Sequence, residues 1–211
     1  SSDLTLIRHD TPRGIPVSKN RCIAELMRLG VEHLFLADND TYPLHPDWWK
    51  PYVASPEPHL QFSWTHSYGG QPVPRMDTLY RDPTLVAYGW SMGCLLYVTA
   101  GVVRSVGGMR PDFGLGMHEH PEWSQRIHNA GHTTFVHQDV PDRNTIWACD
   151  RYGAVSRTLP AADREALVER NERLRLACAA DTAFVPYTDR DVVLTIYFIS
   201  QPDAQRGSTN S

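Results

Sequence analysis

Apolar and polar positions change period twice within the first forty residues. DLTLIRH, Asp3 to His9, alternates in the manner of a strand, and the TPRG that follows breaks it with a proline and a glycine. Ile23, Leu26 and Met27 then recur at helical spacing between Ser18, an expected N-cap, and Gly30 in the C′ position. VEHLFLA, 31 to 37, is a short apolar run of the kind that forms a buried strand. Strand, helix and strand in this order predict a βαβ unit with parallel strands and a right-handed crossover.

Further along, HLQFSW (59 to 64) and SMGCLLYVTA (91 to 100) read as strands, AGVVRSVGG as a short helix with a glycine stop, and HTTFVHQDV as another strand. EHPEWSQRIHNAG, 119 to 131, predicts a longer helix with Pro121 in its first turn and Gly131 at its end. PAADREALVERNERLRLAC, 160 to 178, places Leu167, Leu174 and Ala177 among many charges, the pattern of an amphipathic helix lying on the body of the domain. Trp64, His66 and Tyr68 sit in the loop before the second of those strands, where they are candidates to stack on a sugar. No internal repeat is visible, and the tail PDAQRGSTNS is expected to fray.

With 211 residues the chain has the length of one domain with one sizeable core. A formal net charge of -4, with 41% hydrophobic and 21% charged residues, lacks the basic excess of a nucleic-acid binder. The longest apolar run, DVVLTIYFIS at 191 to 200, is shorter than the roughly 20 residues of a membrane span, and no basic-then-apolar leader opens the chain, so a soluble, cytoplasmic protein is expected. Cys22, Cys94, Cys149 and Cys178 show no CxxC spacing and read as reduced, buried thiols.

The candidate chemistry begins where VEHLFLA ends in Asp38, Asn39 and Asp40. In open parallel sheets the ligand crevice lies beyond the carboxyl ends of the strands. Carboxylates one residue apart at such a place suit a hard divalent cation, Mn²⁺ or Mg²⁺. An Asx-turn that caps the bend before Tyr42-Pro43 is the other reading of the same residues.

RGIPVSKNRCIAELMRLGVEHLFLADNDTYPLHPDWW resembles the nucleotide-sugar half of GT-A-fold glycosyltransferases, especially family 2. There a glycine-rich turn and an Arg/Lys-Asn helix start precede a strand ending in DxD. YGWSMGCLLYVTAGVVRSVGGMRPDFGLGMHEHPEWSQRIHNAG is similar to the acceptor-side block of that superfamily. The resemblance covers about half of the chain. It implies a single α/β, GT-A-like domain over 1–211 with a mixed, mainly parallel sheet: a donor and metal half at 1–50, an acceptor and catalytic half at 85–145, and a C-terminal helix at 160–178. By the same resemblance Asp40 binds the metal directly, Asp38 contacts metal, ribose or sugar, and Arg13, Lys19, Asn20 and Asn39 lie near the nucleotide. Trp90, Met92 and Asp112 would line the acceptor side.

An inverting transfer needs a base for the acceptor hydroxyl. Counting back from Arg126 aligns Glu119 with the family's Glu and His120 with its Asp, whereas counting forward from Gly114 and Gly116 makes Glu119 the base; Glu119 is favoured, with Glu122 in reserve. A carboxylate at a helix start also serves as a plain cap. His137, with Asp139 beside it, is the nearest match to the histidine that completes the family's metal shell, and a packed core histidine is its alternative. His118, His128 and His132 read as surface residues.

Family members open with a strand and nucleobase loop that this sequence does not place before residue 4. DVVLTIYFISQPDAQRG resembles that missing segment, which suggests circular permutation with residues 190–200 as an added or permuted first strand. Ser200, Gln201, Asp203 and Arg206 would then approach the nucleotide. The expected function is transfer of a sugar from a nucleoside-diphosphate sugar to a hydroxyl on a small molecule or glycan. A metal-dependent phosphoesterase or pyrophosphohydrolase, and a non-catalytic sugar-binding module, are the alternatives.

Overall fold

LLYVT, a short run dominated by apolar residues, becomes the central strand of a three-stranded sheet. The computed structural model describes residues 5–39, 41–62, 77–141, 147–149 and 159–188. Its helices are α1 (Ile15–Arg28), α2 (Lys50–Ala54), α3 (Ala100–Val106), α4 (Glu119–Asn129) and α5 (Ala161–Ala177), with a 3-10 turn at Pro111–Phe113. Its strands are β1 (His33–Ala37), β2 (Thr41–Pro43), β3 (His59–Gln61), β4 (Thr78–Arg81), β5 (Val86–Tyr88), β6 (Leu95–Thr99), β7 (Gln138–Asp139) and β8 (Trp147–Cys149).

β6 lies between β1 and β3 and runs antiparallel to both, pairing Phe35 with Tyr97 and Leu60 with Tyr97. Because side chains alternate across a strand, β6 feeds two cores. Leu96 and Val98 join Ile23, Leu34, Leu36, Val103, Trp123 and Ile127 beneath α1, α3 and α4. Leu95 and Tyr97 face the other way, onto Tyr52, Leu60, Phe62 and Val140. Smaller sheets are formed by β4, β5 and β7 and by β2 with β8.

The protein is therefore mixed α/β. Its described ladders are antiparallel, and the one parallel contact among the described residues is the bridge from Gly107 to Val185. They do not confirm the mainly parallel sheet expected. The βαβ unit fails at its first member: residues 5–9 form no strand, and Leu6 is 77% exposed, so the alternation there has no partner face to bury against. β1 pairs instead with β6.

Helix α1 starts three residues before the expected cap, because Gly14 opens it and a proline, Pro16, occupies its first turn, where a missing N–H costs nothing. Ser18 lies inside that turn and its N–H donates to the Gly14 carbonyl at 3.1 Å. The strand expected in HTTFVHQDV contracts to Gln138–Asp139. Here side chains compete with the ladder: Thr134 Oγ1 and Gln138 Nε2 both donate to the Glu57 carboxylate, at 2.5 and 2.6 Å.

Helix α5 does not dock on an apolar face. Leu167 and Leu174 are half-buried, Ala177 is exposed, and Asn171 is the residue it buries. Of the cysteines, Cys94 is buried and Cys178 partly so, but Cys22 is exposed on α1, against the expectation of a buried thiol. Among the described residues no helix is long and apolar enough to cross a membrane. The segments containing Trp64, His66 and Tyr68, and residues 190–200 with the proposed permuted strand, lie outside the described residues.

Candidate functional site

Five stretches of the chain meet at one cleft of about 320 Å³: Ile15 of α1, Asp38 after β1, Trp90 to Gly93, the turn and helix start at His118 to His120, and Arg164 with Val168 of α5. Each arrives for a local reason. Asp38 follows β1 directly, its N–H held by the Cys94 carbonyl at 2.8 Å and its own carbonyl taken by Thr41, so the strand end is fixed before the chain turns into β2. The turn is closed through the Asp38 backbone carbonyl rather than its side chain, which faces Lys19.

Trp90 to Gly93 leads into β6. Gly93 has φ 71°, and a Cβ there would lie 2.4 Å from the His120 ring, so glycine is what lets this backbone pass the helix start. Its carbonyl accepts from Lys19 Nζ at 3.0 Å. The same Nζ lies 2.9 Å from Asp38 Oδ1, which ties α1, β1 and the Gly93 segment together.

Glu119 opens α4. The two residues before it, Met117 and His118, have φ of 70° and 68°, left-handed backbone that non-glycine residues adopt at a cost of order 1–3 kcal/mol each. This turn leaves the Glu119 side chain 3% exposed on the cleft wall. Burial pushes its carboxyl upward, but the hydrogen bond and charge of His120, a backbone amide and Lys19 outweigh burial and hold it below the usual carboxylate range. His120 Nδ1 lies 3.4 Å from Glu119 Oε1, and its Nε2 lies 3.4 Å from the Ser91 carbonyl. Glu119 Oε2 and Ser91 Oγ are buried with no hydrogen-bond partner among the described residues. Orphaned buried polar atoms are costly, and two lining one cleft mark it as a place for a hydrogen-bonding ligand.

Trp90 is held edge-on by the His118 and His137 rings, with the Arg175 guanidinium 5.3 Å from its ring centre. His118 lies 3.2 Å from Glu172 and lines the cleft, so it is not the surface residue expected; burial lowers its pKa. His128 and His132 do take local surface partners, the Thr133 carbonyl and the Ser105 hydroxyl.

The other expected residues divide plainly. Lys19, Asp38, Trp90, Met92, Glu119 and His120 come together. Asn20 does not face the cleft: its amide makes two 2.8 Å bonds with the Met109 backbone and is spent on bracing α1. Glu122 is buried between Arg110 and Arg126, at 2.9 and 3.0 Å, which makes it a structural ion-pair centre rather than a free acid. Arg13, Asn39 and Asp112 are exposed and are not among the lining residues. Asp40, Ser200, Gln201, Asp203 and Arg206 lie outside the described residues.

His137 packs in the interior near Gln61 and Trp90, where burial first, then nearby histidines and Arg175, push its pKa down to about 3. Among the described residues no three His, Cys, Asp or Glu side chains converge as a metal shell, and Asp38 already faces Lys19. The described donor set alone therefore does not fit a divalent cation. Sequence reasoning missed Ser91, His118 and the two α5 residues Arg164 and Val168. A serine beside a tryptophan carries no signal, and α5 lies too far along the chain for any spacing rule to link it to Glu119. No protein-family model, no curated protein and no solved structure matches this chain.

Proposed function

We propose that this protein transfers a glycosyl group from a nucleoside-diphosphate sugar to an acceptor hydroxyl, with Glu119 as the general base. The observation that carries the reading is the meeting, at one cleft, of the β1 carboxyl end and of Glu119, whose buried second oxygen has no hydrogen-bond partner among the described residues. A carboxyl held below its ordinary range is ionised at neutral pH and so has a free lone pair for the proton, though it is a weaker base than one tuned toward neutrality; geometry, not basicity, supports its role. As the acceptor oxygen bonds to the anomeric carbon, its proton passes to Glu119 and the glycosyl–phosphate bond breaks, its electron pair leaving with the diphosphate. Trp90 and Met92 offer an apolar wall for the sugar or acceptor. Arg164 lines the same cleft with no ion-pair partner among the described residues, and serves an anionic group of the substrate.

By the resemblance, Asp38 and Asp40 would hold the Mn²⁺ or Mg²⁺ that supports the departing diphosphate, Asp38 by exchanging its ion pair with Lys19. A GT-A-like domain is the fold that this reading carries, and an experimental structure with nucleotide tests it by the strand beside the edge of β1 that no described strand covers. The ion pair of Asp38 with Lys19 favours a second reading, a sugar-binding module without metal or turnover.

Calorimetric titration of UDP, GDP and dTDP, with and without Mn²⁺, followed by turnover of the matching sugar donor, separates these. Nucleotide binding with acceptor-dependent transfer is expected, and Glu119→Gln should lower transfer by about 10²–10⁴-fold while leaving nucleotide binding in place. Hydrolysis indifferent to acceptor would instead identify a phosphohydrolase. Absence of nucleotide binding under every condition would remove the transferase reading.

A further inference from the structure

The segment from Pro111 to His118 that delivers Glu119 is gripped from two sides. On one side the Ile15 N–H donates to the Leu115 carbonyl at 3.3 Å. On the other, α5 reaches in with a single side chain. Asn171 is fully buried, and its Nδ2 approaches the carbonyls of Phe113 at 2.8 Å, Gly116 at 2.5 Å and Met117 at 3.1 Å. Its Oδ1 accepts from Arg170 Nη1 at 2.7 Å, and Arg170 Nη2 donates to the Asp112 carbonyl at 3.0 Å. No other α5 residue is buried.

The Phe113 and Gly116 carbonyls precede the two left-handed residues, Met117 and His118, and the Met117 carbonyl lies between them. A strained backbone persists only where its surroundings over-determine it. A buried amide whose two N–H hydrogens are shared among three carbonyls does so here; an aliphatic side chain in its place would take this donor from the Gly116 and Met117 carbonyls, while the Phe113 carbonyl keeps the Gly116 N–H at 3.3 Å.

We infer that Asn171 is a positioning residue: by clasping the Phe113, Gly116 and Met117 carbonyls it holds the left-handed turn that sets Glu119 in the cleft wall. The inference rests on Glu119 being the working group of the site, and it makes α5 part of the machinery rather than a cover. Glu119 is flanked by Lys19 from α1, by His118 and His120 at its own helix start, and, through His118, by Glu172 and Arg175 of α5. A turn released from Asn171 moves the carboxylate away from these groups toward water.

The test uses the full chain and does not require turnover. The Glu119 side-chain carboxyl is followed by ¹³C NMR as pH is varied, with its signal assigned by comparison with Glu119→Gln. In Asn171→Ala the titration midpoint of Glu119 should rise toward that of an ordinary glutamate. Where transfer is observed, kcat should fall, on the order of 10²-fold, with little change in KM, as expected of a misplaced group. Should Asn171→Ala fail to fold, Arg170→Ala decides, since Arg170 is exposed and orients the Asn171 amide; a smaller rise of the same sign is expected. A folded variant whose Glu119 titrates as in the parent protein overturns the inference. Failure of the transferase reading would show separately, as absent turnover in the parent protein alongside an unchanged NMR result.

Discussion

Helices α4 and α5 are built from similarly polar sequences and end in opposite states. α4 buries seven of its eleven residues, whereas α5, at seventeen residues, buries Asn171. The difference lies in what receives the polar groups. In α4 Arg126 is fully buried and gives Nη1 to the Val106 carbonyl at 2.5 Å, Nη2 to Gly108 at 2.6 Å and Nε to Glu122 at 3.0 Å. Glu122 is shared with Arg110, which also pairs with Asp181. Ser124 donates to the His120 carbonyl and meets His59 Nε2 at 2.8 Å. Around this network Trp123 and Ile127 fill the core. Among the described residues α5 meets a smaller receiving set, so its charges stay partly exposed: Arg175 pairs with Glu172 along the helix, and Glu172 and Arg175 reach to His118 and the Trp90 ring. A polar helix is buried when partners wait for its polar groups, and composition alone does not say whether they do.

That contrast can be broken most decisively at Glu122. Glu122→Ala strands two arginines in and beside the core and should cost about 3–5 kcal/mol, seen as a lowered urea midpoint with unchanged slope. A loss below about 1 kcal/mol would mean that the α4 network is replaceable by water.

The pH dependence comes next. His59 is fully buried against Trp123, and burial, opposed by its bonds to Tyr97 and by Glu57, lowers its pKa to about 4. Its unfolded value is higher, near 6.5, so its contribution to stability is complete above pH 6.5 and fades as pH falls toward 4. Denaturation at pH 7 and at pH 4 should differ by about 3 kcal/mol from this residue alone, and His137, lowered to about 3, acts in the same direction. His59→Gln should flatten that profile, and an unchanged slope of stability against pH would exclude His59 as its source.

Smallest is the change on the exposed face of α5. Leu176 is 57% exposed, and Leu176→Ser should shift stability by no more than about 0.5 kcal/mol in the same denaturation assay. A larger effect would mean that this face is covered in solution.

Much of the local structure was legible in the chain. The α1, α3, α4 and α5 segments, the strands β1, β3 and β6, and the glycine stops at Gly30, Gly107 and Gly131 follow from periodicity and turn chemistry within windows of a dozen residues. Asp38, Lys19, Trp90, Met92, Glu119 and His120 were legible as candidates because their motifs stand at element ends. Asn20, a candidate for the nucleotide, and Glu122, a reserve base read as more readily structural, both turn inward, because a polar residue bound for the interior looks, in sequence, like one bound for a ligand. Only the partners distinguish them, and Met109, Arg110 and Arg126 lie elsewhere along the chain.

What the sequence determined by itself is the set of elements and the residue types at their ends, because helix spacing, caps and glycine turns act over a few neighbouring residues. Tertiary structure decided the rest. Strand partners are chosen by which apolar faces can be covered together, so β1 lies against β6, and residues 5 to 9 join no sheet among the described residues. The cleft, the pairing of Lys19 with Asp38 and the hold of Asn171 on the turn before Glu119 all depend on contacts between residues far apart in sequence, and such contacts leave no local signature.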